Sequence, residues 1–178
     1  MRFFLVLFSI LSTQLTANSY WPKSETMSYE VIDGSKFGFQ IPLPDFNLVK
    51  QTVCENGISV MSKYQSAIEL QKEFLFFCDS FDEIIDLETY SNWVTYGWAN
   101  NPALQLNLVE HEVFQSGRDG SLLLLKQSWQ DSEGFINNLV FFVRGAYGFC
   151  FMSRTDLNGK SKWDSFIQTI CPCIKLCL

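Results

Sequence analysis

The sequence predicts an α+β fold, a three-layer αβα sandwich in which helices cover both faces of a mostly antiparallel sheet. Three observations lead to this prediction. Strand-like segments joined by short turns follow Pro102, and short connections make consecutive strands antiparallel neighbours. One of these segments, residues 135–144, is apolar on consecutive residues, which indicates that both of its faces are covered. Two segments with a helical apolar stripe are available to cover them.

The start of the chain has the three parts of a secretory signal peptide. Arg2 supplies a positive charge, residues 3–11 are almost entirely apolar, and residues 12–17 are mostly small or polar. The apolar run is well short of the roughly 20 residues that span a bilayer. We expect cleavage near Ala17, a periplasmic or secreted protein, and a polar lead-in over residues 18–27. An uncleaved membrane helix and a buried N-terminal strand are the alternatives.

Composition excludes several classes of partner. The chain has 13 basic and 19 acidic residues and a formal net charge of −6, which argues against nucleic acid and anionic membrane surfaces. Hydrophobic residues make up 47% and charged residues 18%, so the chain is globular rather than disordered. Its length suits one domain, which we place at residues 28–171, followed by a cysteine-rich tail at residues 172–178.

The domain is predicted to begin with a hairpin. Residues 29–32 and 37–41 are strand-like, and the Asp-Gly pair that starts at Asp33 is typical of a tight turn. Pro42 and Pro44 are expected to end the pairing, because proline has no backbone N–H.

A helix is predicted after two more strands, at residues 58–64 and 74–78. Asp86 is placed to cap its first turn through the side-chain carboxylate. Asn100, Asn101 and Pro102 end it. Its core-facing stripe, at three- and four-residue spacing, is Leu87, Tyr90, Val94 and Trp98.

Two aromatic residues of this helix lie outside the stripe. Tyr96 points almost opposite to it, and Trp93 lies at its border. Lone exposed apolar residues are common, so incidental exposure is the default interpretation. A contact surface that includes Trp93 and Tyr96 is the alternative.

The second half of the chain is predicted to be a four-strand meander followed by a second helix. The strands are residues 106–115, 121–130, 135–144 and 147–154. The helix follows Gly159, with Ser161 and Asp164 as its N-terminal cap and Cys171 as its last residue before Pro172. Its apolar stripe is Trp163, Phe166, Ile167 and Ile170.

Five stretches occur in a characteristic order along residues 28–171. They are FGFQIPLPDF, DLETY, RDGSLLLL, LVFFVRGAYGFCF and WDSFIQTI. In this order they resemble the PsbP/DcrB-like superfamily, which includes the photosystem extrinsic protein PsbP, a Ran-binding Mog protein of eukaryotes and bacterial envelope proteins. The resemblance implies an αβα fold and a non-catalytic role, either docking to a larger assembly or binding a lipid or protein in the envelope. It implies no catalytic residue.

Six cysteines in a secreted chain permit disulfides. Cys150 is interpreted as a small core residue. The Cys-Pro-Cys spacing is too short for a zinc-binding pair, and a helix C-terminus raises a thiol pKa, whereas redox thiols usually lie at helix starts. We expect a structural or intermolecular disulfide, with free thiols as the alternative. The candidate residues are Cys54, Cys78, Cys171, Cys173 and Cys177.

Other catalytic patterns are weak. His111 is the only histidine, which excludes a site that needs two imidazoles, and we expect Glu110 and Glu112 to project to the opposite face of their strand. The acidic residues between Asp79 and Glu88 are better explained by a solvated turn and a helix N-terminus than by a calcium site.

The sequence therefore predicts an extracytoplasmic, non-enzymatic binding or structural protein of the cell envelope, without a cofactor. It would act by docking to a protein assembly or by binding lipid. The alternative is a thiol-active or metal-binding protein that uses the cysteine cluster formed by Cys171, Cys173 and Cys177.

Overall fold

The computed structural model describes residues 30–34, 39–43, 46–53, 59–67, 73–101, 104–116 and 122–176. The predicted signal peptide, the lead-in, Cys54 and Cys177 lie outside the described residues. The strands are β1 (Glu30–Gly34), β2 (Phe39–Leu43), β3 (Phe46–Val53), β4 (Ser59–Ser66), β5 (Glu73–Ser80), β6 (Asn107–Ser116), β7 (Leu122–Gln130), β8 (Ile136–Arg144), β9 (Tyr147–Thr155) and β10 (Lys175–Leu176). The helices are α1 (Leu87–Ala99) and α2 (Leu157–Ile170).

Seven strands form one sheet in the order β3-β4-β5-β9-β8-β7-β6, and every neighbouring pair is antiparallel. A second sheet has the order β1-β2-β10. The predicted α+β sandwich and the predicted meander β6 to β9 are both confirmed. No helix in the described part of the chain is long and apolar enough to cross a membrane.

The large sheet is covered on both faces, as the apolar run in β8 predicts. Seven consecutive residues of β8, starting at Ile136, are buried. The cluster on one face includes residues of α1 and is formed by Met61, Leu75, Leu87, Tyr90, Leu125, Trp129, Leu139, Phe141, Cys150 and Met152. The cluster on the other face takes Trp163, Ile167 and Ile170 from α2 and Ile32, Ile41 and Leu43 from the small sheet. Each helix therefore forms an outer layer.

The two helices differ in how well their starts were predicted. Asp86 caps α1 as expected, since its Oδ1 accepts a hydrogen bond from the backbone N–H of Thr89 at 2.8 Å. The predicted cap of α2 is wrong. Asp156 has extended backbone angles and accepts a hydrogen bond from the backbone N–H of Gly159 at 2.6 Å, so the helix starts earlier. Ser161 already lies inside it.

The N-terminal strands pair, but the Asp-Gly pair that was predicted to form their turn lies inside β1. Asp33 belongs to β1 and pairs with Gln40, so the Asp-Gly pair is not the turn. Pro42 does not end β2 but pairs with Val31 inside it. Among the described residues, this end of β2 has a neighbour on one side only, because β10 pairs with β2 at Phe39 and Gln40. A strand position with a neighbour on one side only does not need an N–H group for a second neighbour, so a proline is tolerated there.

The C-terminal residues return to the small sheet. Helix α2 ends at Ile170, one residue earlier than predicted, and Cys171–Cys173 form a 3-10 turn. Ile174 is completely buried, and β10 then pairs with β2. The domain bounds at residues 28 and 171 stay a prediction, while the paired structure continues to Leu176.

Candidate interaction surface on the first helix

A buried hydrogen bond holds α1 against the large sheet. The Tyr90 hydroxyl donates to Oδ2 of Asp79 in β5 at 2.5 Å, and both residues are buried. Burial raises the pKa of Asp79, although hydrogen bonds from Ser59 and Tyr90 favour its carboxylate form. Burial, and then the charge of Asp79, raise the pKa of Tyr90 well above its usual value. The phenol therefore stays protonated and acts as a donor.

A glycine makes room for the Tyr90 ring. A Cβ atom at Gly148 in β9 would lie 2.4 Å from Cε2 of Tyr90, a distance that real Cβ atoms do not reach. The ring therefore lies directly on the β9 backbone, a close approach that a side chain larger than hydrogen would prevent. Together, Asp79 and Gly148 fix both the tip and the face of this ring.

Other aromatic rings continue from Tyr90 to the protein surface. Tyr90 meets Phe141 of β8 edge-on, with centroids 5.8 Å apart. On its outer side it stacks with Trp93 at 6.3 Å and meets Phe81 edge-on at 5.9 Å. Phe81 and Trp93 are themselves edge-on at 5.3 Å. These are the favoured aromatic geometries, and they hold the Trp93 ring in one orientation.

The outer end of this aromatic group is exposed to solvent. Trp93 is 45% exposed and Tyr96 is 70% exposed, so both side chains lie where the sequence places them. Ile84, which the sequence analysis did not single out, is 86% exposed. It lies in the loop that brings Phe81 against Trp93. Whether Trp93 and Tyr96 contact a partner stays a prediction.

The loop before α1 is acidic and is tied to the sheet. The backbone N–H groups of Phe81 and Ile85 donate to Ala146 and Gly145 in the turn between β8 and β9, at 2.9 and 3.1 Å. Hydrogen bonds from the Thr89 side chain and backbone hold the pKa of Asp86 below its usual value.

The sequence predicts that the acidic residues of this region are all solvated, and this is correct for most of them but not for all. Asp82, Glu83 and Glu88 are exposed, but Asp79 is buried beneath Tyr90. The segment from residue 81 to residue 96 has four acidic residues and no Lys or Arg, so its own formal charge is −4, and Arg144 directly precedes the turn to which it is bonded. We call the exposed part of this region the α1 surface and define it by Asp82, Glu83, Ile84, Glu88, Trp93 and Tyr96.

The predicted cysteine cluster is divided between core and surface. Cys171 is buried, and burial, with a smaller contribution from Cys173, raises its pKa to about 12. Cys173 is exposed, and its thiol donates to the backbone carbonyl of Thr169 at 3.3 Å. Cys150 is buried against α1, as the sequence predicts, with its pKa raised well above the usual value by burial and then by Asp79.

Disulfide bonding of these residues stays a prediction. Cys150, Cys171 and Cys173 form no disulfide with one another or with the other described residues, and Cys78 is half-buried in β5. No group of three or more His, Cys, Asp or Glu side chains in the described residues is arranged to hold a metal ion.

A second polar cluster, which sequence reasoning missed, joins α2 to the edge of the sheet. Glu110 of β6 lies 2.9 Å from the Nζ atoms of both Lys126 and Lys160. Partial burial opposes its ionisation, yet hydrogen bonds from these lysines and a serine hold the pKa of Glu110 at about 2. Its neighbour His111 is exposed and lies 3.4 Å from the Gln127 amide. The cluster has the form of a structural ion-pair network.

Comparison with known proteins supports the fold. No family model matches the chain, and no curated protein matches it. Among solved structures, the chain is similar to cyanobacterial PsbP (CyanoP) from Synechocystis sp. PCC 6803, with a TM-score of 0.60 and 13% identity. The similarity covers 89% of this chain and 98% of the cyanobacterial one. The chain therefore has a PsbP-like fold.

Proposed function

We propose that this protein is a non-enzymatic binding or structural protein of the cell envelope, and that it acts by docking to a protein assembly. The observation that carries the proposal is the exposed ring of Trp93, which is held in place from below by Tyr90 and Phe81. A tryptophan whose orientation is fixed before binding loses little side-chain entropy when it is covered. The PsbP-like fold and the non-catalytic role that the sequence resemblance implies support the same proposal.

The ionisable groups of the core also favour a non-enzymatic role. Catalytic acids, bases and nucleophiles need pKa values near the working pH. Burial raises the pKa values of Tyr90, Cys150 and Cys171, which takes them further from neutral pH and keeps all three groups protonated. Asp79, whose pKa is raised, is covered by the Tyr90 ring and bonded to its hydroxyl.

The thiol-active alternative has less support than docking. A thiolate is the nucleophile and the metal ligand, and Cys171 with a pKa of about 12 is almost never a thiolate at neutral pH. Cys173 is exposed and is available for an intermolecular disulfide. That reaction would tether the protein to a neighbour and is compatible with docking.

Binding to lipid is the other role that the resemblance implies. The α1 surface has the aromatic residues of an interfacial site but carries only acidic charges. Anionic lipid headgroups attract basic segments and repel acidic ones. A protein partner is therefore better supported than a lipid surface.

The proposal is tested in cells that produce the protein naturally. Sequencing of the mature N-terminus should find it near Asn18, in an extracytoplasmic fraction. Crosslinking of intact cells followed by purification of the chain should give discrete protein adducts. A chain found in the cytosol with residues 1–17 intact, or recovered without any adduct, contradicts the proposal.

A further inference from the structure

We propose that the α1 surface binds a partner protein through lysine or arginine side chains of that partner. This inference rests on the proposed docking function and specifies the surface and the chemistry of the partner. It follows from what the α1 surface presents: a half-exposed indole ring that Tyr90 and Phe81 orient, an exposed phenol and several carboxylates, without a basic residue between positions 81 and 96.

Aromatic faces and carboxylates attract the same type of side chain. A Lys or Arg cation is attracted to the face of Trp or Tyr, and the interaction is strongest for Trp. Carboxylates such as those of Asp82 and Glu83, which follow Phe81 in the loop, attract the same side chains and form charge-assisted hydrogen bonds with them. Ile84, which is 86% exposed, offers an apolar contact for the alkyl part of the side chain or for a neighbouring residue.

The geometry of the surface is fixed before binding. Its Trp93 ring stacks on Tyr90, which is bonded to Asp79 and lies on Gly148. Its acidic loop is held by the two backbone hydrogen bonds from Phe81 and Ile85 to the β8–β9 turn. A prearranged surface needs less ordering on association, and electrostatic complementarity adds specificity and a faster association rate.

The remaining exposed apolar groups are less suited to docking. Most lie on the two edge strands, including Val53 (65% exposed) on β3 and Val113 (54% exposed) on β6. Each edge strand has a register shift near its start, between Leu48 and Lys50 in β3 and between Leu108 and Glu110 in β6. Such irregularities protect a sheet edge from pairing with another strand.

The test places a photo-crosslinking amino acid, p-benzoylphenylalanine, at position 96 of the full-length protein in cells that produce it naturally. The control position is Leu157, which is 68% exposed at the start of α2, on the opposite face of the sheet. We expect a discrete protein adduct from position 96 whose crosslinked peptide is rich in Lys or Arg. We expect no such adduct from position 157.

Three second-site variants identify what the adduct depends on. Trp93→Ala should reduce its yield about 30-fold, the loss expected when a central aromatic anchor is removed. Glu83→Lys should reduce it about tenfold, the loss expected for a surface charge that faces a complementary charge. Glu112→Lys makes the same charge change on β6, where Glu112 is exposed, and should leave the yield unchanged. Purified protein should not sediment with phosphatidylglycerol vesicles.

Several results would overturn this inference. They are an adduct at position 96 that survives both Trp93→Ala and Glu83→Lys, an adduct that contains lipid, or sedimentation with anionic vesicles that depends on Trp93. An adduct at Leu157 but not at Tyr96 would remove the α1 surface as the binding site and leave the proposed docking function standing. Absence of protein adducts at both positions, together with absence of adducts in general crosslinking, would overturn both.

Discussion

Tyr90 donates a buried hydrogen bond to Asp79, and this bond joins α1 to β5 directly beneath the exposed ring of Trp93. The same residue, Tyr90, therefore packs in the core and supports the exposed Trp93 ring. Substitutions that disturb Tyr90 are therefore expected to lower the stability of the fold and also to change the orientation of Trp93. The following predictions separate these effects.

Replacing Tyr90 by phenylalanine removes the hydroxyl and keeps the ring. The Asp79 carboxylate then stays buried with one donor fewer, which costs about 1–3 kcal/mol of unfolding free energy. Urea denaturation of the purified protein measures this loss. Tyr96→Phe is the matched control, because Tyr96 is 70% exposed, and it should change stability by less than about 0.5 kcal/mol. Equal effects of the two variants would show that the buried bond contributes nothing.

Asp79 should make stability depend on pH in a definite direction. Burial raises its pKa in the folded protein above the usual value of 3.8, so the folded state binds this proton more tightly than the unfolded state. The stability that the folded protein gains from this tighter proton binding at Asp79 is fully present below pH 3.8 and is lost as the pH rises through the folded pKa.

The comparison with Asp79→Asn isolates this contribution from that of other groups. Glu110, with a folded pKa of about 2 against a usual value of 4.5, has the opposite dependence. The wild type should gain stability relative to Asp79→Asn as the pH is lowered from 7 to 4, measured by urea denaturation at each pH. A constant difference, or one of opposite sign, contradicts the raised pKa.

Gly148→Ala should destabilise the protein through a clash with Tyr90. The added Cβ would lie 2.4 Å from the ring, and overpacking of a well-packed core costs about 1–3 kcal/mol. In a Tyr90→Ala background the ring is absent, so the same substitution should cost much less. Additive losses in the double variant would mean that Gly148 is required for another reason.

The thiols should differ in reactivity according to their burial. Under native conditions a maleimide reagent should label Cys173 quickly, whereas Cys150 and Cys171 should react only after unfolding. Peptide mass mapping assigns each label. If Cys171 is labelled as fast as Cys173, the cysteine cluster is more open than the structure shows, and the thiol-active function gains support. Loss of an intermolecular disulfide in Cys173→Ser would identify the tethering residue.

The sequence predicts well those elements whose own residues carry a full apolar periodicity. The consecutive apolar residues of β8 and the stripe Leu87, Tyr90 and Val94 of α1 contain their own periodicity, so both elements were found. Strand β3 was missed because it lies at the sheet edge with most of its residues exposed, and such a strand shows no burial pattern. Strand β10 was missed because two residues that pair with β2 leave no periodic signal.

The candidate site was predicted only in part, for a related reason. The outward position of Tyr96 and the border position of Trp93 follow from helical spacing alone. The contacts that fix Trp93 depend on Asp79, Phe81 and Gly148, which belong to other elements and meet only in the folded chain. Likewise Asp156 replaced the predicted cap of α2, because two capping patterns lie within a few residues and the sequence does not rank them.

The most direct measurement of the central claim is the size of the complex that the protein forms in a native extract of the cell envelope. Gel filtration at low salt should find wild-type protein in an assembly much larger than the 20.5 kDa of the full 178-residue chain. Trp93→Ala should elute as the free protein and still unfold in one cooperative transition in urea, although it loses its ring contacts with Tyr90 and Phe81. A folded Trp93→Ala variant that still elutes with the assembly would contradict docking through the α1 surface.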